Sequence, residues 1–250
     1  MGIIKYPLDV NSKLFNNVRA VPSNFINRLP LLAHLVAYYK LDGNSNDSVG
    51  SNNGTDTAIT YGTSYGKINQ GALFNGTTSQ ITSASASLGI AGNISVGFWA
   101  NVNTLPTSGN LMSMVAKYVG GAGASGYDVR LYNNGGTQEL DFVVTTASQV
   151  SVVATKIITL STSTWYYIVC TNDGTTSTIY LNGSSVATAS SGNPDAATQN
   201  FYIGAINYNA GLMRFFNGAI DEVGIWSRAL TSTEVSQLYN GGAGIQYPFY

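Results

Sequence analysis

The sequence predicts an all-β protein: two packed antiparallel sheets, one short helix near the C-terminus and an irregular arm at the N-terminus. Three observations predict it. Short apolar runs recur from Leu35 onward, the clearest of them alternating apolar and polar residues. Asn-Gly, Asp-Gly and Gly-Gly pairs separate neighbouring runs, and these supply the positive φ that tight hairpin turns need. Only one segment, Thr231 to Tyr239, carries the start, face and stop of a helix.

In chain order, residues 1–33 differ from the rest. Lys5, Lys13, Arg19 and Arg28 stand against the single acid Asp9. Pro7, Pro22 and Pro30 interrupt scattered apolar residues such as Ile3, Ile4, Leu8, Phe15 and Phe25 that follow no period. Such a segment buries too little of itself to offset the roughly 1–2 kcal/mol that fixing each backbone residue costs. The expected division is an arm over 1–33, ordered by a partner, and a sandwich domain over 34–250. Leu35 to Leu41 reads as the first strand, followed by a turn-rich stretch from Asp42 to Gly54. Short runs at 72–75 and 80–82 follow. Ile94 to Val102 then places Ile94, Val96, Phe98, Ala100 and Val102 on one face. Further strands are expected at 112–118, 127–132, 140–144, 165–171, 178–181, 201–204 and 218–226. Turns fall at Asn133–Gly136, Asn172–Gly174 and Asn182–Gly183. In the helix, Thr231 and Glu234 form a capping box, Val235, Leu238 and Tyr239 share a face, and Gly241 with Gly242 supplies the stop.

Charged residues make up 9% of the chain against about 25% in an average domain, so Ser, Thr, Asn and Gly must cover the surface. A formal net charge of −1 gives no general attraction to nucleic acid. No apolar run is long enough for membrane insertion. The first residues are broken by Pro7 and Asp9, so no export signal is expected there. The one cysteine, Cys170, lies in the apolar run Trp165-Tyr-Tyr-Ile-Val-Cys170 and reads as a core thiol; the one histidine, His34, reads as an edge residue.

Several segments together resemble the laminin-G-like, concanavalin A-like jelly-roll domains of bacteria and phages. They are Tyr38 to Ser48 with Asn52-Asn-Gly54, Gly71-Ala-Leu-Phe-Asn-Gly76, Ile94-Ser-Val-Gly-Phe-Trp99, Trp165 to Val169, Thr178-Ile-Tyr-Leu-Asn-Gly183, and Phe216 to Val223 with Trp226, Arg228-Ala-Leu230 and Glu234 to Tyr239. Their order agrees over residues 35–240. The resemblance implies a jelly-roll sandwich and leaves function open, since this fold carries many activities.

Candidate sites follow from the residues and from the resemblance. Asp42, Asn44, Asn46 and Asp47 crowd hard oxygens into one loop, as calcium requires. The resemblance pairs that loop with Asp221 of the closing Ile-Asp-Glu segment. Glycan binding needs aromatic faces beside hydrogen-bonding side chains, and Tyr118, Asn207, Tyr208 and Asn209 supply them. Glycosidase chemistry needs two carboxylates about 5–9.5 Å apart. Glu139 and Asp141 share a strand face, but without the Glu-x-Asp-x-x-Glu pattern of related glucanases; Asp221 and Glu222, as neighbours in a strand, are expected on opposite faces. The expectation is therefore a non-enzymatic protein. Its narrower form is a virion structural subunit, such as a phage capsid decoration, fibre or tail-associated protein. It would join other virion subunits through residues 1–33, form a homo-oligomer and display a domain for cell-surface glycans. The alternative is a secreted carbohydrate-binding module or adhesin domain.

Overall fold

A computed structural model describes residues 28–120, 123–208 and 211–249. Most of the expected arm, residues 1–27, lies outside the described residues, as does Asn209 of the expected glycan site.

Among the described residues, the strands and the C-terminal α-helix follow in chain order. They are β1 (Leu35–Tyr39), β2 (Thr55–Thr57), β3 (Thr60–Gly62), β4 (Gly71–Asn75), β5 (Gln80–Ser83), β6 (Ile94–Val102), β7 (Leu111–Val119), β8 (Ser125–Asn134), β9 (Thr137–Thr145), β10 (Ser151–Ile157), β11 (Trp165–Asn172), β12 (Thr176–Leu181), β13 (Ser184–Ser190), β14 (Phe201–Ile203), β15 (Ile206–Tyr208), β16 (Gly211–Met213), β17 (Asn217–Trp226) and helix α1 (Ser232–Tyr239). An eight-stranded sheet runs β13-β12-β11-β6-β17-β4-β3, with β1 also paired to β17. A seven-stranded sheet runs β10-β9-β8-β7-β14-β5-β2. Every pairing is antiparallel, and β15 and β16 form a separate hairpin. The two sheets face each other across one apolar core, as a jelly-roll sandwich requires.

The alternation of β6 is realised. Ile94, Val96, Phe98, Ala100 and Val102 enter the core between the sheets, while Trp99 points to the other side of the eight-stranded sheet. There Tyr38, Trp99, Tyr167, Val169 and Trp226 form a second cluster under α1 and the C-terminal segment, with Val235, Leu238 and Phe249 on top. Residues 29–32 form a single 3-10 turn that joins this cluster through fully buried Leu31. The Trp226 indole N–H donates to the Leu31 carbonyl at 2.7 Å.

Arg228 ties the same corner together. It grips Glu234 with two hydrogen bonds of 2.8 and 2.6 Å and donates to the carbonyls of Pro30 and Ala33. The capping box is present, with Glu234 N donating to Thr231 Oγ1 and Thr231 N donating to Glu234 Oε2. Burial alone would raise the Glu234 carboxyl, but the Arg228 and Thr231 hydrogen bonds outweigh it and hold the group below its ordinary value. The helix stop differs by one residue from the sequence reading: Asn240 takes the left-handed position at φ 48°. Asparagine tolerates that conformation through local side-chain bonding, and here Asn240 Nδ2 donates to the Gly244 carbonyl.

Asn182 and Gly183, at φ 50° and 82°, turn β12 into β13 as two-residue hairpins require. Cys170 is buried in the core, where desolvation pushes its thiol well up and leaves it inert. His34 is exposed at the edge before β1. No described helix is long and apolar enough to cross a membrane.

Candidate functional site

Register builds a polar surface on the outer side of the seven-stranded sheet. Across β7, β8, β9 and β10, directly opposed residues form rows. One row is Tyr118, Gly126, Thr145 and Ser151. The next is Ala116, Asp128, Val143 and Val153, and the third is Ser113, Arg130, Asp141 and Thr155. A bulge in β7 between Ser113 and Val115 keeps Met112, Met114 and Val115 in the core and turns Ala116 and Tyr118 outward. The β15–β16 hairpin folds over this face and lays Ile206 and Tyr208 on Ala116, Tyr118 and Val143.

Tyr118 and Tyr208, two of the residues expected at a glycan site, meet on this face. Tyr118 and Tyr208 stack with centroids 6.5 Å apart and planes 13° from parallel. Tyr208 comes so close to the backbone at Gly120 that a Cβ there would lie 1.9 Å from its ring. Asn207 stands beside it, its Nδ2 3.5 Å from the Tyr202 hydroxyl and its Oδ1 without a hydrogen bond. Sequence reasoning missed Arg214. Its guanidinium lies 4.4 Å over the Tyr208 ring and borders two adjoining cavities of about 310 and 390 Å³. Arg214 also holds a left-handed φ of 61°, a conformation of appreciable cost for this residue type.

The charged half of the face is a closed network. Arg130 Nε donates to Asp141 Oδ2 at 3.2 Å, and Thr155 donates to Asp141 Oδ1 at 2.8 Å. Ser113 donates to Asp128 Oδ1, while Asp128 Oδ2 has no hydrogen bond and sits 3.9 Å from Arg130 Nη1. Burial raises the Asp128 carboxyl despite the nearby Arg130 and Arg214. Glu139 and Asp141 do share this face. Asp141, however, is 2% exposed and fully occupied by Arg130 and Thr155.

The expected metal loop divides. Asp47 is a loop-closing acceptor: its oxygens take hydrogen bonds from Tyr38 N, Val49 N, Asn52 N and Asn52 Nδ2. Burial works to raise it, and these donors together hold it below the ordinary carboxylate range. Asn44 and Asn46 are exposed, Asn44 Oδ1 accepting from Asn46 N in an Asx turn. Asp42 faces the other way, toward Asp221 and Glu222. Gln246 Nε2 bridges Asp42 Oδ2 at 2.7 Å and Glu222 Oε1 at 2.6 Å.

The expectation that Asp221 and Glu222 point to opposite faces is corrected here. A bulge between Asp221 and Gly224, with Glu222 at φ 54°, breaks the alternation and brings both carboxyls toward Asp42. Asp221 Oδ2 accepts from Lys67 N and Ile68 N, while Asp221 Oδ1 and Glu222 Oε2 are buried without a hydrogen bond. Desolvation, with repulsion from Asp42, pushes Asp221 up to about 8, and desolvation, with repulsion from Asp221 and Asp42, pushes Glu222 up to about 9. These hard, under-satisfied oxygens suit calcium. The Gln246 amide stands between them, and among the described residues no three acids, histidines or cysteines close to metal-holding distance.

Two packed antiparallel sheets with an aromatic, hydrogen-bonding outer face define a lectin-like jelly-roll domain. The chain belongs to the concanavalin A-like lectin/glucanases superfamily, whose family model matches residues 75–236. No curated protein matches it. Among solved structures, domain 4 of AbnA, a GH43 extracellular arabinanase from Geobacillus stearothermophilus, solved with arabinotriose, is similar at 24% identity and a TM-score of 0.63, covering 82% of this chain and 97% of that domain. The botulinum neurotoxin serotype D ligand-binding domain, solved with N-acetylneuraminic acid, is similar at 15% identity and a TM-score of 0.66, covering 88% of this chain and 53% of that one. The binding domain of Paraclostridial Mosquitocidal Protein 1 is similar at 18% identity and a TM-score of 0.65, covering 84% of this chain and 52% of that one. The chain thus spans about half of each toxin domain. At these identities the likeness is one of fold.

Proposed function

We propose that the protein is a non-catalytic carbohydrate-binding domain whose glycan seats against the β15–β16 hairpin, at Tyr208, Asn207 and Arg214. One observation carries this reading: the hairpin gathers the stacked Tyr118–Tyr208 pair and Asn207, and Arg214, whose guanidinium lies over Tyr208, leads from them to the two open cavities that it lines. A sugar offers C–H faces to aromatic rings and hydroxyls to such polar groups. The arabinanase and neurotoxin domains of the same fold, each solved with a sugar, support the reading. The engagement of Asp141 by Arg130 and Thr155 supports the absence of catalysis, since a working carboxylate must reach its substrate. Glycan arrays identify the ligand. Tyr208→Ala should then weaken binding at least tenfold, about 1.4 kcal/mol, while the melting midpoint stays within a few degrees. Undiminished binding would remove the hairpin from the site.

We further propose that calcium, when bound, displaces the Gln246 amide and draws Asp42, Asp221 and Glu222, which stand beyond shared metal-holding distance here, into one site that would lock the first loop to β17. The unsatisfied Asp221 Oδ1 and Glu222 Oε2 support this set.

The reading as a virion subunit remains a proposal about the arm. Leu31 is buried and Pro30 and Ala33 hold Arg228, so residues 30–33 belong to the folded domain and the anchoring proposal concerns residues 1–27. Deleting 1–27 should leave a soluble domain that melts within a few degrees of the full chain and no longer assembles with partner subunits or copies of itself. Assembly that survives the deletion would overturn the anchoring role.

A further inference from the structure

We infer that the site at the β15–β16 hairpin selects sugars that carry a carboxylate, with Arg214 as the residue that reads it. This deepens the carbohydrate-binding proposal and rests on it. Arg130 and Arg228 each engage a carboxylate. Arg214 has no salt bridge, and its guanidinium donates no hydrogen bond to any described residue. It is half-buried, held over the Tyr208 ring at 4.4 Å, and lines both cavities. A guanidinium stacked on a ring keeps its N–H donors in the ring plane free, and their fork matches the two oxygens of a carboxylate.

The charges around it leave that capacity available. Asp141 is neutralised by Arg130 at 3.2 Å. Asp128 is fully buried with its Oδ1 taken by Ser113, and burial moves its carboxyl toward the neutral form. No acid among the described residues lines either cavity; the walls include Thr104, Thr107, Asn110 and Asn217 with Leu111 and Met213. Such walls offer hydroxyl and amide groups for the remaining sugar hydroxyls and apolar contact for its ring. The backbone also points to Arg214. Its carbonyl accepts from Ser113 N at 2.8 Å, which fixes the left-handed residue to the bulge of β7 and sets the guanidinium above the sheet.

The test compares acids with matched neutral sugars on the intact chain by titration calorimetry: trigalacturonate against its methyl ester, and sialyllactose against lactose. The acid of one pair should bind at least tenfold more tightly than its neutral counterpart, and the pair that shows the difference tells a uronate from a sialate. Raising the salt from 50 to 500 mM should narrow the difference. Arg214→Gln should abolish it and Arg214→Lys should restore part of it. Equal affinities for acid and neutral forms, with binding that still requires Tyr208, would overturn the inference and leave the glycan site standing. No Tyr208-dependent binding across an array of acidic and neutral oligosaccharides would overturn both. The acid-to-neutral ratio of the unaltered protein decides the matter even if an Arg214 variant folds poorly.

Discussion

In chelator, the melting midpoint should fall as the pH rises from 5 to 9, the reverse of what most acid-containing domains do. Asp221 and Glu222 are at most 2% exposed, and their carboxyls are raised to about 8 and about 9 from 3.8 and 4.5. A group whose folded pKa lies above its unfolded one gives its full stabilisation below the unfolded value. It loses it as pH climbs through the folded value, because the unfolded chain sheds the proton first. The window therefore runs from about 4 to about 9. Each group contributes at most about 1.4 kcal/mol per pH unit. Relaxation and coupling between the two reduce the sum to something on the order of 5 kcal/mol, or roughly 10–20 °C for a chain of this size. Asp128 is also raised and adds in the same direction; Lys117, lowered by burial, opposes it at the alkaline end. Asp221→Asn with Glu222→Gln should flatten the profile. A midpoint that rises steadily from pH 5 to 9 would mean that water reaches these carboxyls. Calcium gives the second arm of the experiment. It binds ionised carboxylates, so saturating calcium should raise the midpoint at pH 8 and erase most of the fall. An unchanged pH 8 midpoint would end the calcium proposal and leave the pH slope intact.

Trp226→Ala should cost about 3–5 kcal/mol, and about 6–20 °C in melting midpoint. Trp226 is 1% exposed at the end of β17. Its ring lies close over Gly224, where a Cβ would come within 2.4 Å, and its N–H holds the Leu31 carbonyl. Removing it opens a cavity under α1 and strands a buried acceptor. Trp226→Phe restores much of the volume but leaves Leu31 O unpaired, so an intermediate loss of about 1–3 kcal/mol is expected. Urea denaturation measures both. A loss below 1 kcal/mol for the alanine variant would show that the helix and the 29–32 turn contribute little to the fold.

What was legible in the sequence follows a physical line. β6 was legible because one face is wholly apolar and enters the core while the other carries Ser95, Gly97 and Asn101 beside Trp99, so its period of two is clean. Helix α1 was legible because Thr231 and Glu234 satisfy each other locally. β10 and β13 were not assigned. Both are outer strands of their sheets, and Val153 and Ile157 of β10 point outward into solvent, which erases the apolar contrast. Tyr118 and Tyr208 were found by residue type, and the hairpin then brought them together. The acid pair was misread because a bulge is decided between strands: nothing in Ile220-Asp-Glu-Val223 announces that Glu222 will turn to a positive φ. Arg214 was missed for a similar reason. A lone arginine within Leu212-Met-Arg-Phe-Phe216 gains meaning only when β16 folds back over Tyr208.

The pairing of β1 with β17 also governs when the protein can exist. The hydrogen bond from Trp226 to Leu31 closes a loop of 195 residues, and β17 is the strand on which β1, β4 and β6 all pair. On the ribosome the first strand must wait, without a mate, until nearly the whole domain has emerged, because contacts so distant along the chain form late. Folding of the eight-stranded sheet therefore waits on the emergence of β17. A chain cut short anywhere before Trp226 loses the scaffold of the eight-stranded sheet and leaves a template for aggregation in place of a smaller working domain.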